Sequence, residues 1–369
     1  MKQFLALVAI ASGCRSEVEG PRDADLSPDA AQHVDARTDA GIDTDLGTFD
    51  AELDDATGDD SDAASPDAGQ ETLAAQYPGD EGLGSDPAVV WFEDFEGGTL
   101  AAIGARYDQV RDNGRMTLIS DTPSGSGHAI SMRAGGSEQA VDLYKQLADS
   151  DEWFVRWYAR YEPGGQWHHS GMWFGGYNPA SRWPSPNAGR RPGGTDRFSI
   201  AVEPVFDGPI GKRFDFYNYW MGMHSWMQEP INDDGTAYWG NALVHRNGFT
   251  VDEGNWVCME AHVRLNSAPS GAGGAILEVW KRDELVERFD EHGPMGYWIR
   301  DKFCPEAADG RECLDYADTA DTILDLRLRS APELRLNAFW PQNYVTEASQ
   351  WTLDFDQLVV ATRRVGCAR

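Results

Sequence analysis

The segment NWVCMEAHVRLN, residues 255–266, decides the fold class because its side chains alternate between apolar and polar with a period of two. Val257 and Met259 fall on one side of an extended chain, whereas Glu260 and His262 fall on the other. Successive side chains of a β-strand point to opposite faces of the sheet. The segment is therefore predicted to be a strand with one face in a core and one polar face.

The same alternation recurs from Trp91 to the end of the chain. Segments rich in Gly, Pro and Asn separate the strands, and only DLYKQLADS, residues 142–150, is interpreted as a short helix. Many strands without crossover helices predict an all-β fold, an antiparallel β-sandwich of the jelly-roll type. The further predicted strands are VVWFEDFEG, HAISMRAG, WFVRWYARYEP, GMWFGGY, RFSIAVEPVF, FDFYNYWMGMH, AILEVWKRDELVERFD, LRLNAFWP and WTLDFDQLVVATR.

Much of the negative charge lies near the start of the chain. The 369 residues carry a net charge of -30, and residues 15–90 hold 21 Asp and Glu against 3 Lys and Arg. This part cannot bury enough apolar surface to offset its chain entropy. We predict a disordered acidic tether over residues 15–88 and one jelly-roll domain over residues 89–369. The acidic balance argues against nucleic acid as a partner, since phosphate binding relies on Lys and Arg.

The first 14 residues, MKQFLALVAIASGC, have the form of an export signal. A lysine precedes an apolar run that is too short to span a bilayer, and small residues lead to Cys14. This ending resembles a bacterial lipobox, in which the cysteine is lipidated after cleavage. We expect an exported protein that a lipid on Cys14 anchors to the outer membrane or cell surface, with no other membrane contact. An ordinary signal peptide with an incidental cysteine is the alternative.

Four further cysteines predict disulfide bonds in an exported domain. Cys304 and Cys313 bracket a short polar loop and form the first predicted pair, which leaves Cys258 with Cys367. Metal ligation is the alternative, but the sequence has neither CxxC nor HxxxH spacing.

The outward faces of several predicted strands carry aromatic and charged side chains. FDFYNYWMGMH places Phe214 and Phe216 on one side, and Asp215, Tyr217 and Tyr219 on the other. Tyr and Trp combine an apolar body with a polar tip, which suits sugar rings and their hydroxyls. We therefore expect a glycan-binding groove, the alternative being a second, minor core under long loops. Other outward residues expected to take part are His169, Trp173, Arg156 and Glu203.

Two further segments contribute candidate binding residues. LNAFWPQNY, residues 336–344, offers Asn337, Trp340 and Gln342, whose amide and indole groups suit sugar hydroxyls. The Arg-, Pro- and Gly-rich loop before RFSIAVEP ends at Arg197, which we expect in a groove wall.

Residues 254–286 resemble the middle of the concanavalin A-like jelly-roll polysaccharide lyases, above all those that cut alginate and related glucuronate polymers. The resemblance lies in G-x-W-x-x-x-E, an apolar strand ending in L-N, a Gly-rich turn and an E-x-W strand. LDFDQLVVATRRVG and VVWFEDFEGG are similar to the closing and opening strands of that fold. The order of elements matches over roughly residues 91–367.

The resemblance implies catalytic roles for Tyr217 and Tyr219. In these lyases a Tyr-x-Tyr strand carries the catalytic phenol, and Tyr217-Asn218-Tyr219 matches it in type and place. Where the family has a lysine this chain reads HHSGMWFGG, so His169 is expected to accept the proton or neutralise the carboxylate. The family arginine is also absent from FSIAVEP, which leaves Arg156, Arg160 or Arg197 to meet the carboxylate.

Three functions follow as hypotheses: β-elimination of a uronate-containing glycan, non-catalytic carbohydrate binding, or a structural surface protein without ligand. A retaining glycosidase would need two paired Glu, which LDFDQ and FEDFE do not provide. No cofactor is expected. A structural calcium ion is the one metal considered, and a charged edge strand is its alternative. The carboxylates concerned are Glu93, Asp94, Asp354 and Asp356. The sequence does not indicate an oligomeric state.

Overall fold

The computed structural model describes residues 71–136, 140–167, 169–181, 188–207, 211–226, 237–269, 271, 273–308, 313, 321–346 and 348–368. Its strands are β1 Val89–Glu93, β2 Gln109–Arg111, β3 Met116–Ile119, β4 Ala129–Ala134, β5 Ala140–Ser150, β6 Glu152–Tyr161, β7 Gly171–Tyr177, β8 Arg197–Asp207, β9 Gly211–Phe216, β10 Val257–Arg264, β11 Ile276–Lys281, β12 Glu284–Phe289, β13 Met295–Ile299, β14 Lys302–Pro305, β15 Thr322–Ile323, β16 Leu336–Tyr344 and β17 Trp351–Ala361. The helices are α1 Leu73–Gln76 and α2 Leu100–Gly104, with 3₁₀ turns at Pro78–Asp80 and Leu83–Ser85.

Two antiparallel sheets form a sandwich, so the predicted fold class is confirmed. The front sheet has six strands in the order β2-β5-β16-β7-β8-β9. The back sheet has eight, in the order β12-β11-β10-β6-β17-β4-β3, with β1 pairing β17. A small sheet, β14-β13-β15, lies apart from both.

The core between the sheets contains the apolar faces that the alternation predicts. On the front sheet, Phe198 and Ile200 of β8 are buried, and on the back sheet Val257 and Met259 of β10 are buried with them. Trp167 was expected on the outward face but lies in this core. The reason is that β7 begins only at Gly171, so strand parity does not extend back to Trp167.

The predicted helix over residues 142–150 is wrong, because this segment is part of strand β5. It pairs with β16 on one side and β2 on the other. Val141 and Leu143 point into the core, which leaves Asp142 and Tyr144 on the outer face of the front sheet. Long-range pairing on both edges outweighs the helical propensity of a short Leu- and Lys-containing segment.

The folded part of the chain begins earlier than predicted. Leu73 and Leu83 are buried in a cluster with Phe154, Val359 and Val365 on the outer face of the back sheet. Residues 71–88 therefore belong to the sandwich and not to the tether. The signal peptide with Cys14 and the remaining tether residues lie outside the described residues. Within the part of the chain that is described, no helix is long and apolar enough to cross a bilayer.

Both predicted disulfides are confirmed. Cys258 of β10 bonds Cys367, which fixes the end of the chain to the back sheet, and Cys304 of β14 bonds Cys313.

Candidate functional site on the front sheet

The outer face of the front sheet carries a polar row of side chains that runs across its strands. Gln342 of β16 lies opposite Asp142 of β5 on one side and opposite Gly171 of β7 on the other. Arg111 of β2 lies opposite Asp142 at one end of this row, and Glu203 of β8 lies near Gly171 at the other. The register thus brings residues from five strands onto one line.

His169 lies over the middle of this row, in the turn before β7. At Gly171 the backbone of β7 lies close to β8, since a Cβ at that position would lie 2.2 Å from the Val202 carbonyl oxygen. The backbone of His169 adopts a φ of 66°, and Gln342 Nε2 donates to its carbonyl oxygen at 2.9 Å. Its ring faces the hydroxylated ring of Tyr344, with centroids 5.7 Å apart.

Glu203 fixes the orientation of the His169 ring. The distance between His169 Nδ1 and Glu203 Oε1 is 3.2 Å, and both residues are buried. An ionised carboxylate can only accept, so the proton lies on Nδ1, and in the neutral ring Nε2 is then the basic nitrogen. This pairing of an imidazole with a buried carboxylate is the arrangement in which histidine acts as a general base.

The two predicted tyrosines share this site. Tyr217 is half-buried with its ring centroid 4.7 Å from that of His169, whereas Tyr219 is only 1% exposed. Their hydroxyls lie 3.3 Å apart. The backbone at Gly240 packs on the Tyr217 ring, where a Cβ would approach within 2.4 Å. Burial, with further contributions from Tyr219 and Glu203, raises the pKa of Tyr217 well above its usual range, so this phenol stays protonated at neutral pH.

Trp173 and Trp340 form an aromatic row beside the polar row, together with Tyr144 and Tyr177. The two indole rings stack on each other with centroids 5.7 Å apart and are 3% and 5% exposed. The hydroxyl of Tyr144 donates to the Ser181 carbonyl oxygen, so the loop after β7 reaches over this row. This row therefore fits the alternative of a minor core under a loop, and not an open groove.

Three predicted binding residues, Arg156, Arg197 and Asn337, do not lie in the cluster around His169. Arg156 lies on the back sheet, where it is fully buried and its Nη2 contacts Asp80 Oδ2 at 2.5 Å. Arg197 is on the front sheet but contacts Asp196 Oδ2 at 2.6 Å and the Arg190 carbonyl oxygen.

The Asn337 amide bonds the backbone N–H and carbonyl of Tyr177. It therefore joins β16 to β7 rather than facing a ligand. Arg160, the remaining candidate for the carboxylate, lies on the back sheet and pairs with Asp354 and Asp121.

Two of the four acidic residues considered for calcium are paired with arginines. Glu93 contacts Arg106 at 3.0 Å, and Asp354 contacts Arg160 at 2.8 Å. Across the described residues, the group of three metal-ligating side chains that does converge is His245 with Cys304 and Cys313. The two cysteines of that group are joined in a disulfide.

Two residues of the polar row, Arg111 and Asp142, were missed by sequence reasoning. The signal was present in AVDLYKQL, where Val141 and Leu143 alternate with Asp142 and Tyr144. The helical interpretation of that segment hid the alternation. Arg111 lies in a strand of three residues, too short for a recognisable period.

Comparison with known proteins finds no matching family model and no matching curated protein. Among solved structures, alginate lyase Aly36B shares 9% identity at a TM-score of 0.45, over 75% of this chain and 95% of that one. The PL-14 alginate lyase from Aplysia kurodai shares 14% at 0.45, over 74% and 99%. The endo-β-1,4-glucuronan lyase from the fungus Trichoderma reesei shares 13% at 0.34, over 74% and 96%. The fold assignment rests on the strand order and register given above, and the site rests on its side chains.

Proposed function

We propose that the outer face of the front sheet binds a uronate-containing polysaccharide and cleaves it by β-elimination. One observation carries this proposal: the His169–Glu203 pair lies beside Tyr217, a half-buried phenol that keeps its proton. A base and an acid of different proton affinity are thus held side by side at the surface of a sheet. The half-buried side chains of Gln342 and Tyr344 provide further polar contacts at the same place.

The proposed reaction assigns one proton transfer to each group. His169 takes the proton from the carbon next to the uronate carboxylate, and that electron pair forms a carbon–carbon double bond. The bond to the glycosidic oxygen breaks, and this oxygen takes the hydroxyl proton of Tyr217. Glu203 stabilises the protonated imidazole that results. Transfer of that proton from His169 to Tyr217 restores both groups.

This assignment separates the roles of the two tyrosines. Tyr217 is the half-buried one and acts as the acid, because its raised pKa makes a phenolate base unfavourable at neutral pH. Tyr219 is almost fully buried and acts as a positioning residue through the contact between the two hydroxyls.

The test is an activity assay on a panel of uronate polymers. The ultraviolet absorbance of the unsaturated product measures the reaction. Tyr217→Phe keeps the ring but removes the proton, so activity should fall by about a hundredfold or more while binding is kept. Tyr158→Phe is the matched control, since it removes a hydroxyl from the outer face of the back sheet. Full activity of Tyr217→Phe would remove Tyr217 from the mechanism.

Non-catalytic glycan binding is the second candidate function, and the half-buried polar groups of Gln342 and Tyr344 support it. Such groups bond sugar hydroxyls without any proton transfer. Binding to a glycan panel without product from any uronate would favour this function. Absence of both would leave a structural surface protein.

We also propose export and lipid anchoring through Cys14. The support is the sequence of residues 1–14, which lie outside the described residues. Metabolic labelling with a fatty acid in a bacterial host tests this proposal. Labelling of the parent chain but not of Cys14→Ala is expected, and labelling of both would place the lipid elsewhere.

A further inference from the structure

Three loop segments meet next to Tyr217 and form a rim of the proposed site. Ala237 joins them through its backbone. Its N–H donates to the Gly189 carbonyl oxygen at 3.1 Å, and its own carbonyl oxygen accepts from the N–H of Trp226 at 3.2 Å. Gly189 also pairs with Tyr238 in an antiparallel bridge. The rim consists of residues 188–191, 224–226 and 237–241.

The rim is attached to the segment that carries the two tyrosines of the site. Asn241 exchanges two backbone hydrogen bonds with Asn218, at 3.0 and 3.1 Å, and Asn218 lies between Tyr217 and Tyr219. The side chain of Asn241 is fully buried and bonds both the N–H and the carbonyl oxygen of His224. The rim therefore borders the proposed catalytic site.

Arg191 places a cation on the rim. This residue is exposed, and its guanidinium lies over the Tyr238 ring, with 5.3 Å between Cζ and the ring centroid. Among the described residues, no carboxylate pairs with this guanidinium. Tyr238 lies two residues before Gly240, whose backbone packs on the Tyr217 ring, and two residues span at most about 7 Å. The contact with the ring orients the guanidinium and leaves its planar fork of N–H groups for a carboxylate.

Trp226 adds an accessible aromatic surface to the rim. It is 37% exposed, whereas Trp173 and Trp340 of the aromatic row are 3% and 5% exposed. An exposed indole can stack on the C–H face of a sugar ring. Hydrogen-bonded segments lie about 4.8 Å apart, so the backbones of Trp226 and Gly189, on either side of Ala237, are about 10 Å apart. One short stretch of an acidic polysaccharide can therefore reach both the indole and the guanidinium.

We propose that the rim is a subsite for an acidic sugar of the polysaccharide, in which Trp226 stacks on the sugar ring and Arg191 holds a carboxylate. This inference rests on the proposed function and adds two specificity-determining residues to it. A uronate presents an apolar C–H face and a carboxylate on one ring, so it matches both groups.

The test is titration calorimetry with hexasaccharides prepared from alginate and from glucuronan, at low and at high salt. Arg191→Gln should weaken binding by about tenfold at low salt, the effect of one charge-assisted contact. This loss should shrink at high salt, because salt screens an exposed charge. Arg191→Lys should lose less than Arg191→Gln, because it keeps the charge.

Trp226→Ala tests the aromatic half of the subsite. It should weaken binding by about fivefold, the size of one aromatic contact. Because stacking involves no net charge on the indole, this loss should be the same at low and high salt. Trp226→Phe keeps an aromatic ring and should bind more tightly than Trp226→Ala.

The matched controls are Arg133→Gln and Leu285→Ala, which remove an exposed arginine and an exposed apolar side chain from the back sheet. Both should bind as the parent does. Binding at the parent's affinity by Arg191→Gln and Trp226→Ala, or equal losses in the controls, would overturn the subsite and leave the proposed function standing. Failure of the parent to bind either hexasaccharide, or any polymer of the uronate panel, would overturn both.

Discussion

The outer faces of the two sheets both carry buried polar side chains, but the partners of these side chains come from different parts of the chain. On the back sheet the ends of the folded chain supply the partners. Arg156 contacts Asp80, and Glu260 accepts hydrogen bonds from the backbone N–H groups of Val365 and Gly366. Among the described residues, neither 71–88 nor 362–368 covers the polar row of the front sheet, where Gln342, Tyr344 and Tyr217 remain half-buried.

A polar outward face is therefore not by itself a binding site. A buried charge needs a partner, and the origin of that partner separates structure from function. Arg156 and Glu260 each have a partner within the chain, supplied by segments that fold over the back sheet. His169 and Glu203 are paired with each other, and half-buried groups around them can accept a ligand. The residues to test are those that the chain leaves accessible.

The largest expected effect is loss of the buried ion pair on the back sheet. Arg156→Met removes the partner of Asp80 and leaves a carboxylate buried without its cation, which should lower the free energy of unfolding by about 3–5 kcal/mol. Urea denaturation measures this change. Glycan binding by the folded fraction should stay unchanged, because Arg156 lies on the sheet opposite to the proposed site.

The double variant Arg156→Met with Asp80→Asn sharpens this prediction. Removing both charges should recover a large part of the lost stability, as expected for two residues that interact directly. If Arg156→Met is as stable as the parent and binds glycan poorly, the assignment of the back sheet to structure is wrong.

The core was predictable because it depends on strand parity alone. Phe214 and Phe216 of β9 and Met172 and Phe174 of β7 all point inward as the alternation requires. Parity is a local property of the extended chain, and one buried face suffices to fix it. It failed at Trp167, where the chain is no longer a strand.

The partners of the outward residues were not predictable, because they come from distant parts of the chain. Asp215 alternates outward, but it accepts hydrogen bonds from the backbone N–H groups of Leu243, Val244 and His245. Asn337 looked suited to sugar hydroxyls and instead bonds the backbone of Tyr177. Alternation reports which face a side chain occupies, whereas the loop that covers this face is a matter of tertiary structure.

Asp142 of the front sheet makes the stability of the fold depend on pH. Asp142 has its pKa raised from 3.8 to about 6, so the folded state holds its proton more tightly than the unfolded chain does. Stability from this group is fully present below pH 3.8 and declines as the pH rises to about 6, with a total of about 3 kcal/mol. Asp142→Asn should remove this decline.

Denaturation of the parent and of Asp142→Asn at a series of pH values between 3 and 7 measures the effect. The parent should lose stability relative to the variant over the window from about pH 4 to pH 6. Parallel curves for the two proteins would show that Asp142 titrates as an ordinary exposed carboxyl, which would contradict its burial in the front sheet.

The smallest predicted effect lies on the back sheet, at higher pH. His262 is held between two carboxylates, with Nδ1 at 2.5 Å from Glu278 and Nε2 at 2.8 Å from Glu152, and it stacks on Phe154. Burial alone would lower the pKa of His262, but the bonds from Glu152 and Glu278 outweigh burial and raise it above 6.5. The stabilisation is therefore present below pH 6.5 and is lost as the pH rises through the folded-state pKa.

His262→Gln should remove about 2 kcal/mol of stability at pH 6, since it replaces two charge-assisted hydrogen bonds by weaker neutral ones. The advantage of the parent over the variant should shrink as the pH rises, in the same sense as for Asp142→Asn but at higher pH, because both groups have a raised pKa. The pH range of the Asp142 effect, from about pH 4 to pH 6, lies below that of the His262 effect. The stability curve of Asp142→Asn therefore reports on the front sheet, and that of His262→Gln on the back sheet. A pH-independent difference for His262→Gln would mean that His262 is neutral in the fold, and that the carboxylates of the back sheet are satisfied by Arg288 and solvent instead.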